Sequence, residues 1–244
     1  RQAYIYGKEK ELEKISIQMT YCHLDTEEIR RFKEEYTLED LKSWFEELVH
    51  RYEKWARLQI EWEQMRDETI RNLKFPFSYR EGQFNLAASV YRTIARKKKL
   101  FIQAPTGTGK TMAVLYPAVR AMGEGLGEKI FYLTARTITR TVAEQAFFIL
   151  KEKGLKFRSV TLTAKEKICF CEKAECNPQA CPYAKGHFDR VNDAVYDLLK
   201  NGGGMGRKEI EEQAEKFQVC PFEFALDLSV WADGIICDLS LIHI

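Results

Sequence analysis

Apolar and polar residues alternate through Lys14-Ile15-Ser16-Ile17-Gln18-Met19-Thr20-Tyr21, which predicts a half-buried strand over 14–21. Asp25-Thr26-Glu27-Glu28 follows, a cap candidate trailed by acids that suit a positive helix N-terminus, and predicts a short helix. Thr37, with Asp40 in the position of a capping-box partner, marks a second helix start. From there to Leu73 the chain has no Gly or Pro, and Leu41, Trp44, Leu48, Tyr52, Trp55, Trp62 and Met65 recur at mostly helical spacing. One long helix or two in series is expected, with the Trp stripe packed inside the parent protein. Phe75-Pro76-Phe77 ends the run, and a domain boundary is expected there.

Beyond that break the pattern predicts a helix over 84–99, a strand at Leu100-Phe101-Ile102, a glycine-rich turn at 107–109 and a helix over 109–122. A loop at 123–127, a buried strand at 130–133, a helix over 137–152 and a strand at 158–163 come next. Strands alternating with helices imply a parallel sheet. Residues 165–221 break the alternation: they are Cys-rich, hold a Gly202-Gly203-Gly204 loop and carry helical patterns at 184–199 and 207–217. They read as an insertion, after which Ile235-Ile236-Cys237 returns to strand character. No internal repeat at a fixed period is found.

Composition narrows the class. The 244 residues are 45% hydrophobic and carry 38 Lys+Arg against 36 Asp+Glu, which excludes a disordered chain and leaves any nucleic-acid contact to local basic clusters. With 14 Gly and 6 Pro, collagen-like repeats are excluded. No apolar run is long enough to span a membrane. The opening Arg1-Gln2-Ala3-Tyr4 and the closing Leu239-Ser240-Leu241-Ile242-His243-Ile244, which looks like a translated sequencing adapter, give the expectation of an internal fragment. Of seven cysteines, five fall at 169, 171, 176, 181 and 220. Clustered thiols without a signal peptide suggest metal or a cluster cofactor in a reducing cytoplasm. Cys22 and Cys237 are expected in the core.

The densest chemistry lies in Ala104-Pro105-Thr106-Gly107-Thr108-Gly109-Lys110-Thr111. Gly107 and Gly109 let successive N–H groups face a phosphate, and the following helix turns its positive end to the same anion. Lys110 is expected to reach the β- and γ-phosphates of ATP and the Thr111 hydroxyl to hold Mg²⁺. Thr106, Gly107, Thr108 and Gly109 complete the cradle. Ala104 stands where the strict P-loop pattern has its first Gly. Cys169, Cys171, Cys176, Cys181 and Cys220 offer thiolates for a soft metal, four of which would close a site, and spacing leaves zinc and an iron–sulfur cluster both open.

The loop resembles motif I of superfamily-two helicases. Tyr79-Arg80-Glu81-Gly82-Gln83 is similar to their adenine-recognition motif, with Arg80 and Gln83 in the matching positions, and an amide can both donate to and accept from an adenine edge. Tyr132-Leu133-Thr134-Ala135-Arg136-Thr137 resembles motif Ia, which grips the DNA backbone. A P-loop, then motif Ia, then a Cys-rich insertion before the next strand resembles the XPD/DinG-type iron–sulfur DNA helicases. Within that family the likeness is to the bacterial branch with an N-terminal RecB-like nuclease domain, whose Gln-x-x-x-Tyr element Gln2-Ala3-Tyr4-Ile5-Tyr6 matches.

The resemblance implies an α/β fold: a partial RecA-like P-loop parallel sheet with a Cys-rich helical insertion, preceded by a mostly helical segment. It divides the chain into a nuclease-domain tail (1–24), a helical linker (25–74), the first motor domain (75–164), the cluster insertion (165–221), a return to the motor (222–238) and adapter residues (239–244). It further implies a [4Fe–4S] cluster on Cys169, Cys176, Cys181 and Cys220 with Cys171 spare. The implied parent is a monomeric ATP-dependent 5′→3′ helicase acting on single-stranded DNA, with no membrane role. Lys165, Lys167, Lys173, Lys185 and Arg190 are candidates for the DNA path. No Asp-Glu-Ala-His box follows the P-loop, so this chain is expected to bind nucleotide weakly and not to turn it over. A zinc-bearing P-loop ATPase that switches protein partners is the competing class.

Overall fold

The computed structural model describes all residues except Thr106, Arg136, Gly202, Gly203 and 239–244. It divides into two compact units, 1–58 and 59–244. The boundary therefore falls between Leu58 and Gln59, inside a helix, and not at the Phe75-Pro76-Phe77 break. The reason is packing: Ile70 and Leu73, upstream of Pro76, are buried in the core of the second unit.

In the first unit, α1 (Gln2–Glu9) precedes a hairpin of β1 (Lys14–Cys22) and β2 (Ile29–Thr37), paired antiparallel from Lys14↔Thr37 to Cys22↔Ile29. The strand expected at 14–21 is present, and Gln2 to Tyr6 lie on α1. The helix expected from Asp25 is not. Residues 23–28 form a turn in which His23 Nδ1 accepts from the Asp25 and Thr26 N–H groups at 3.3 and 3.2 Å, and Glu27 takes φ 56. A full ladder with β1 satisfies more backbone groups than a short acidic helix would. Cys22, expected in the core, is exposed at the end of β1. Thr37 caps α2 (Leu38–Asn72): its Oγ1 accepts from Asp40 N–H at 3.0 Å while Asp40 Oδ2 accepts from Thr37 N–H at 3.3 Å, a reciprocal capping box.

The second unit is a mixed α/β body. The last turns of α2 lead to α3 (Gln83–Ala95), α4 (Lys110–Met122), β3 (Ile130–Thr134), α5 (Thr137–Glu152) and β4 (Ser159–Thr161). Then come α6 (Lys165–Ile168), α7 (His187–Asn201), α8 (Arg207–Phe217), α9 (Pro221–Trp231) and β5 (Gly234–Asp238). The strands form a parallel sheet in the order β3-β5-β4, so β5, last in sequence, is central and nearly wholly buried. Helices α6 to α9 thus fill the crossover between two neighbouring parallel strands, as an insertion must. Met112, Leu115 and Val119 of α4, Phe147 and Leu150 of α5, Ile70 of α2 and Ile236 of β5 share one core. Arg120 of α4 donates to the Ile70 and Arg71 carbonyls at 2.7 and 2.9 Å, closing the C-terminus of α2.

Two expectations fail here. Leu100-Phe101-Ile102 forms no strand, and Phe101 is 93% exposed. A strand needs a ladder partner, and none of the described strands lies beside this run. Helix α9 also occupies residues where only a return to strand was expected. Cys220 is its N-cap and Pro221 its first residue, where the missing N–H costs nothing. Among the described residues no helix is long and apolar enough to cross a membrane.

Candidate functional site

The loop leading into α4 is held in an unusual backbone conformation. Gly107 has φ 83 and Gly109 φ 74, both left-handed. Side chains are disfavoured there by about 1–2 kcal/mol per residue. At Gly109 there is no room either: a Cβ would come 2.3 Å from Gln83 Nε2. Thr108 Oγ1 donates to the Pro105 carbonyl at 3.0 Å, and Lys110 Nζ donates to the Ala104 and Pro105 carbonyls at 2.6 Å each. The ammonium thus sits inside its own loop, at the N-terminus of α4. Thr111 follows in the first turn of α4, partly buried. Thr106, the remaining expected cradle residue, lies outside the described residues.

The residues expected upstream are tied to this loop. Arg80 Nη1 donates to the Gly107 carbonyl. Gln83 is buried; its Oε1 accepts from Arg80 N–H at 3.0 Å and its Nε2 donates to the Gly109 carbonyl at 3.2 Å. Both sides of the Gln83 amide are therefore engaged with the 80–83 turn and the loop. Downstream, α5 begins directly after β3, leaving its N-terminus at the carboxyl edge of the sheet, where open α/β sheets bind ligands. Buried Thr134 shares a hydroxyl hydrogen bond with Thr139 across this turn. Arg136, the cation of the expected backbone grip, lies outside the described residues.

Five of the seven cysteines occupy the lobe from α6 to α9, all as free thiols. Cys171 Sγ lies 3.8 Å from Cys181 Sγ, and that hydrogen bond, then burial and the charge of Cys181, with Cys169 adding to them, pushes the Cys171 thiol up to about 11. Cys220 is also raised, mainly by burial, with Cys176 contributing. Asn177 Oδ1 accepts from the Gln179 and Ala180 N–H groups at 3.1 and 2.9 Å, fixing the turn between Cys176 and Cys181. Among the described residues no group of three or more His, Cys, Asp or Glu side chains stands in metal-binding geometry. The thiol set nevertheless suits a soft metal chemically: Cys171 interacts with both Cys181 and Cys169, and Cys176 acts on Cys220. Cys237 is buried in β5, as expected.

His187, the first residue of α7, carried no sequence signal as a lone histidine. Buried, it accepts the Cys220 N–H on Nδ1 at 3.2 Å, while its Nε2 stands 3.8 Å from Asp227 Oδ2 with no hydrogen-bond partner among the described residues. Burial lowers its pKa and Asp227 opposes that. It fixes the backbone of one expected ligand. Of the cations expected along a DNA path, Arg190 is spent on structure: it donates to the Phe217, Lys185 and Gln218 carbonyls at 3.0, 2.8 and 2.6 Å, closing the C-terminus of α8. Lys165 stands over the Phe222 ring at 5.0 Å.

Residues 85–176 match the DEAD/DEAH box helicase family. A probable ATP-dependent helicase of Methanocaldococcus jannaschii is 25% identical over 179 residues, covering 58% of this chain and 28% of that protein. The chain thus spans under a third of the length of the curated relative it matches. These likenesses support a helicase superfamily, and the small parallel sheet fits the RecA-like helicase fold.

Proposed function

We propose that this chain is the front part of the first motor domain of an ATP-dependent, iron–sulfur DNA helicase that moves 5′→3′ on single strands. The observation that carries the reading is the loop at 104–111. Two left-handed glycines, a helix N-terminus and an inward-turned Lys110 are arranged as a phosphate cradle requires, and Arg80 and Gln83 brace it. Bound nucleotide draws Lys110 from the Ala104 and Pro105 carbonyls to the β- and γ-phosphates. Thr106, Gly107, Thr108 and Gly109 would supply the cradle, and the Thr111 hydroxyl would hold Mg²⁺, which would supply charge neutralisation at the transferring phosphate. Arg80 and Gln83, in the positions of the adenine-recognition motif, would take the adenine side by exchanging their bonds to the Gly107 and Gly109 carbonyls for the base. Hydrolysis needs in addition an acidic pair and a second motor domain, so this chain alone binds ATP weakly and does not turn it over.

Cys169, Cys176, Cys181 and Cys220 would hold a [4Fe–4S] cluster, which pins the lobe as a structural element. Lys165, Lys167, Lys173 and Lys185 then flank the path of the strand. Thiols kept free in this way suit a cytoplasmic parent. One observation favours a second reading, a zinc-bearing P-loop ATPase that switches protein partners. Zn–S bonds of about 2.3 Å place tetrahedral sulfurs about 3.8 Å apart, and Cys171 and Cys181 are 3.8 Å apart.

The test is ATP hydrolysis by the full-length parent with and without single-stranded DNA. Stimulation by the single strand but not by duplex, lost in Lys110→Ala, is the expected result. ATPase indifferent to DNA but responsive to a protein partner would favour the second reading.

A further inference from the structure

A cavity of about 330 Å³ opens among the end of α2, the α5–β4 connection and the C-terminal part of α7. It shares no residue with the phosphate loop or the cysteines. Trp62, Leu198 and Met205 supply apolar wall, and three cations, Lys151, Lys156 and Arg158, line it together.

The cations are not neutralised in the usual way. Arg158 is 7% exposed, its guanidinium lies 4.0 Å from the Trp62 ring centroid, and one nitrogen donates to the Leu199 carbonyl at 3.2 Å. Its Nη1 is buried with no partner among the described residues. The nearest acid, buried Asp233, spends its oxygens elsewhere, on Arg66 Nη1 at 2.8 Å, Trp62 Nε1 at 3.0 Å and the backbone N–H of Arg158 at 2.8 Å. Lys151 Nζ donates only to Ser159 Oγ, at 2.8 Å, among the described residues, and feels Asp233 and Glu209 through space. Burial lowers both cations, Arg158 to about 10. A buried guanidinium with an unmade hydrogen bond is costly, and an anion in the adjoining cavity would relieve that cost.

We propose that this cavity binds a small organic anion, an apolar body bearing one carboxylate, with Lys151 and Arg158 taking the charge and Trp62, Leu198 and Met205 the body. Lys156, exposed at the mouth, adds attraction from outside.

The test is calorimetric titration of the chain with 4-phenylbutyrate and with the matched neutral 4-phenylbutyramide. The acid should bind one-to-one and about tenfold or more tightly than the amide, the worth of one charge-assisted hydrogen bond. That preference should fall several-fold in Lys151→Met, where Arg158 remains, and less in Lys156→Met, whose exposed position keeps the test open should Lys151→Met fail to fold. Equal binding of acid and amide, absence of heat from both at millimolar concentration, or a preference undiminished by both substitutions would overturn the proposal.

Discussion

Replacing Asp233 with Ala should destabilise the 59–244 unit by about 3–5 kcal/mol, the usual cost of removing one partner from a buried ion pair. Asp233 is 3% exposed and precedes the central strand β5. One of its oxygens accepts from Arg66, and the other from both the Trp62 indole and the Arg158 backbone N–H. Its own backbone N–H donates to the Arg158 carbonyl at 2.8 Å and its carbonyl accepts from Ile130 at 2.9 Å. One side chain thus ties the last turns of α2 to the start of the sheet. Alanine leaves the buried Arg66 with Asp67 alone, to which its Nε donates at 2.8 Å, and leaves the Trp62 and Arg158 donors unmade. Asp233→Asn, which retains an acceptor but no charge, should fall between. Urea denaturation read by tryptophan fluorescence checks this: the midpoint should drop with little change in slope. A loss under about 1 kcal/mol, the range of a surface ion pair, would mean that water screens the cluster.

The second large effect concerns the thiol lobe. Isolated without oxygen, the chain should carry about four iron and four sulfide per molecule, as a [4Fe–4S] cluster requires. Cys181→Ser should lose essentially all of both. Cys171→Ser should keep them; loss there would move the first ligand from Cys169 to Cys171. The sheet should survive Cys181→Ser, because its core of Phe147, Leu150, Leu115 and Ile236 contains no residue of the lobe. Zinc at one equivalent without sulfide would replace the cluster by the second reading.

What could be read from the sequence was local. The strand β1, the Thr37–Asp40 cap, the long α2 and the loop at 104–111 each announce themselves through near neighbours in the chain. Features made by distant partners were not legible. Strand β2 reads as a continuation of an acidic helix until β1 is there to pair with it. Leu100-Phe101-Ile102 has strand composition but no ladder partner among the described strands. Cys220 reads as a ligand in the sequence, and nothing local shows that it is also the N-cap of α9 with Pro221 as its first residue. Asp233 meets Trp62 and Arg66 across separations of 171 and 167 residues, which no periodicity reveals. His187 and Arg190 likewise act on carbonyls and N–H groups brought near only by the packing of α7 against α8 and α9.

The most direct measurement is fluorescence titration of the 244-residue chain with a methylanthraniloyl derivative of ATP in the presence of Mg²⁺. A saturable signal, competed by unlabelled ATP and weakened about tenfold or more by Lys110→Ala, is the predicted result. A chain that gives no saturable signal, or one whose affinity is untouched when Lys110 is removed, would contradict the reading of residues 104–111 as a nucleotide cradle.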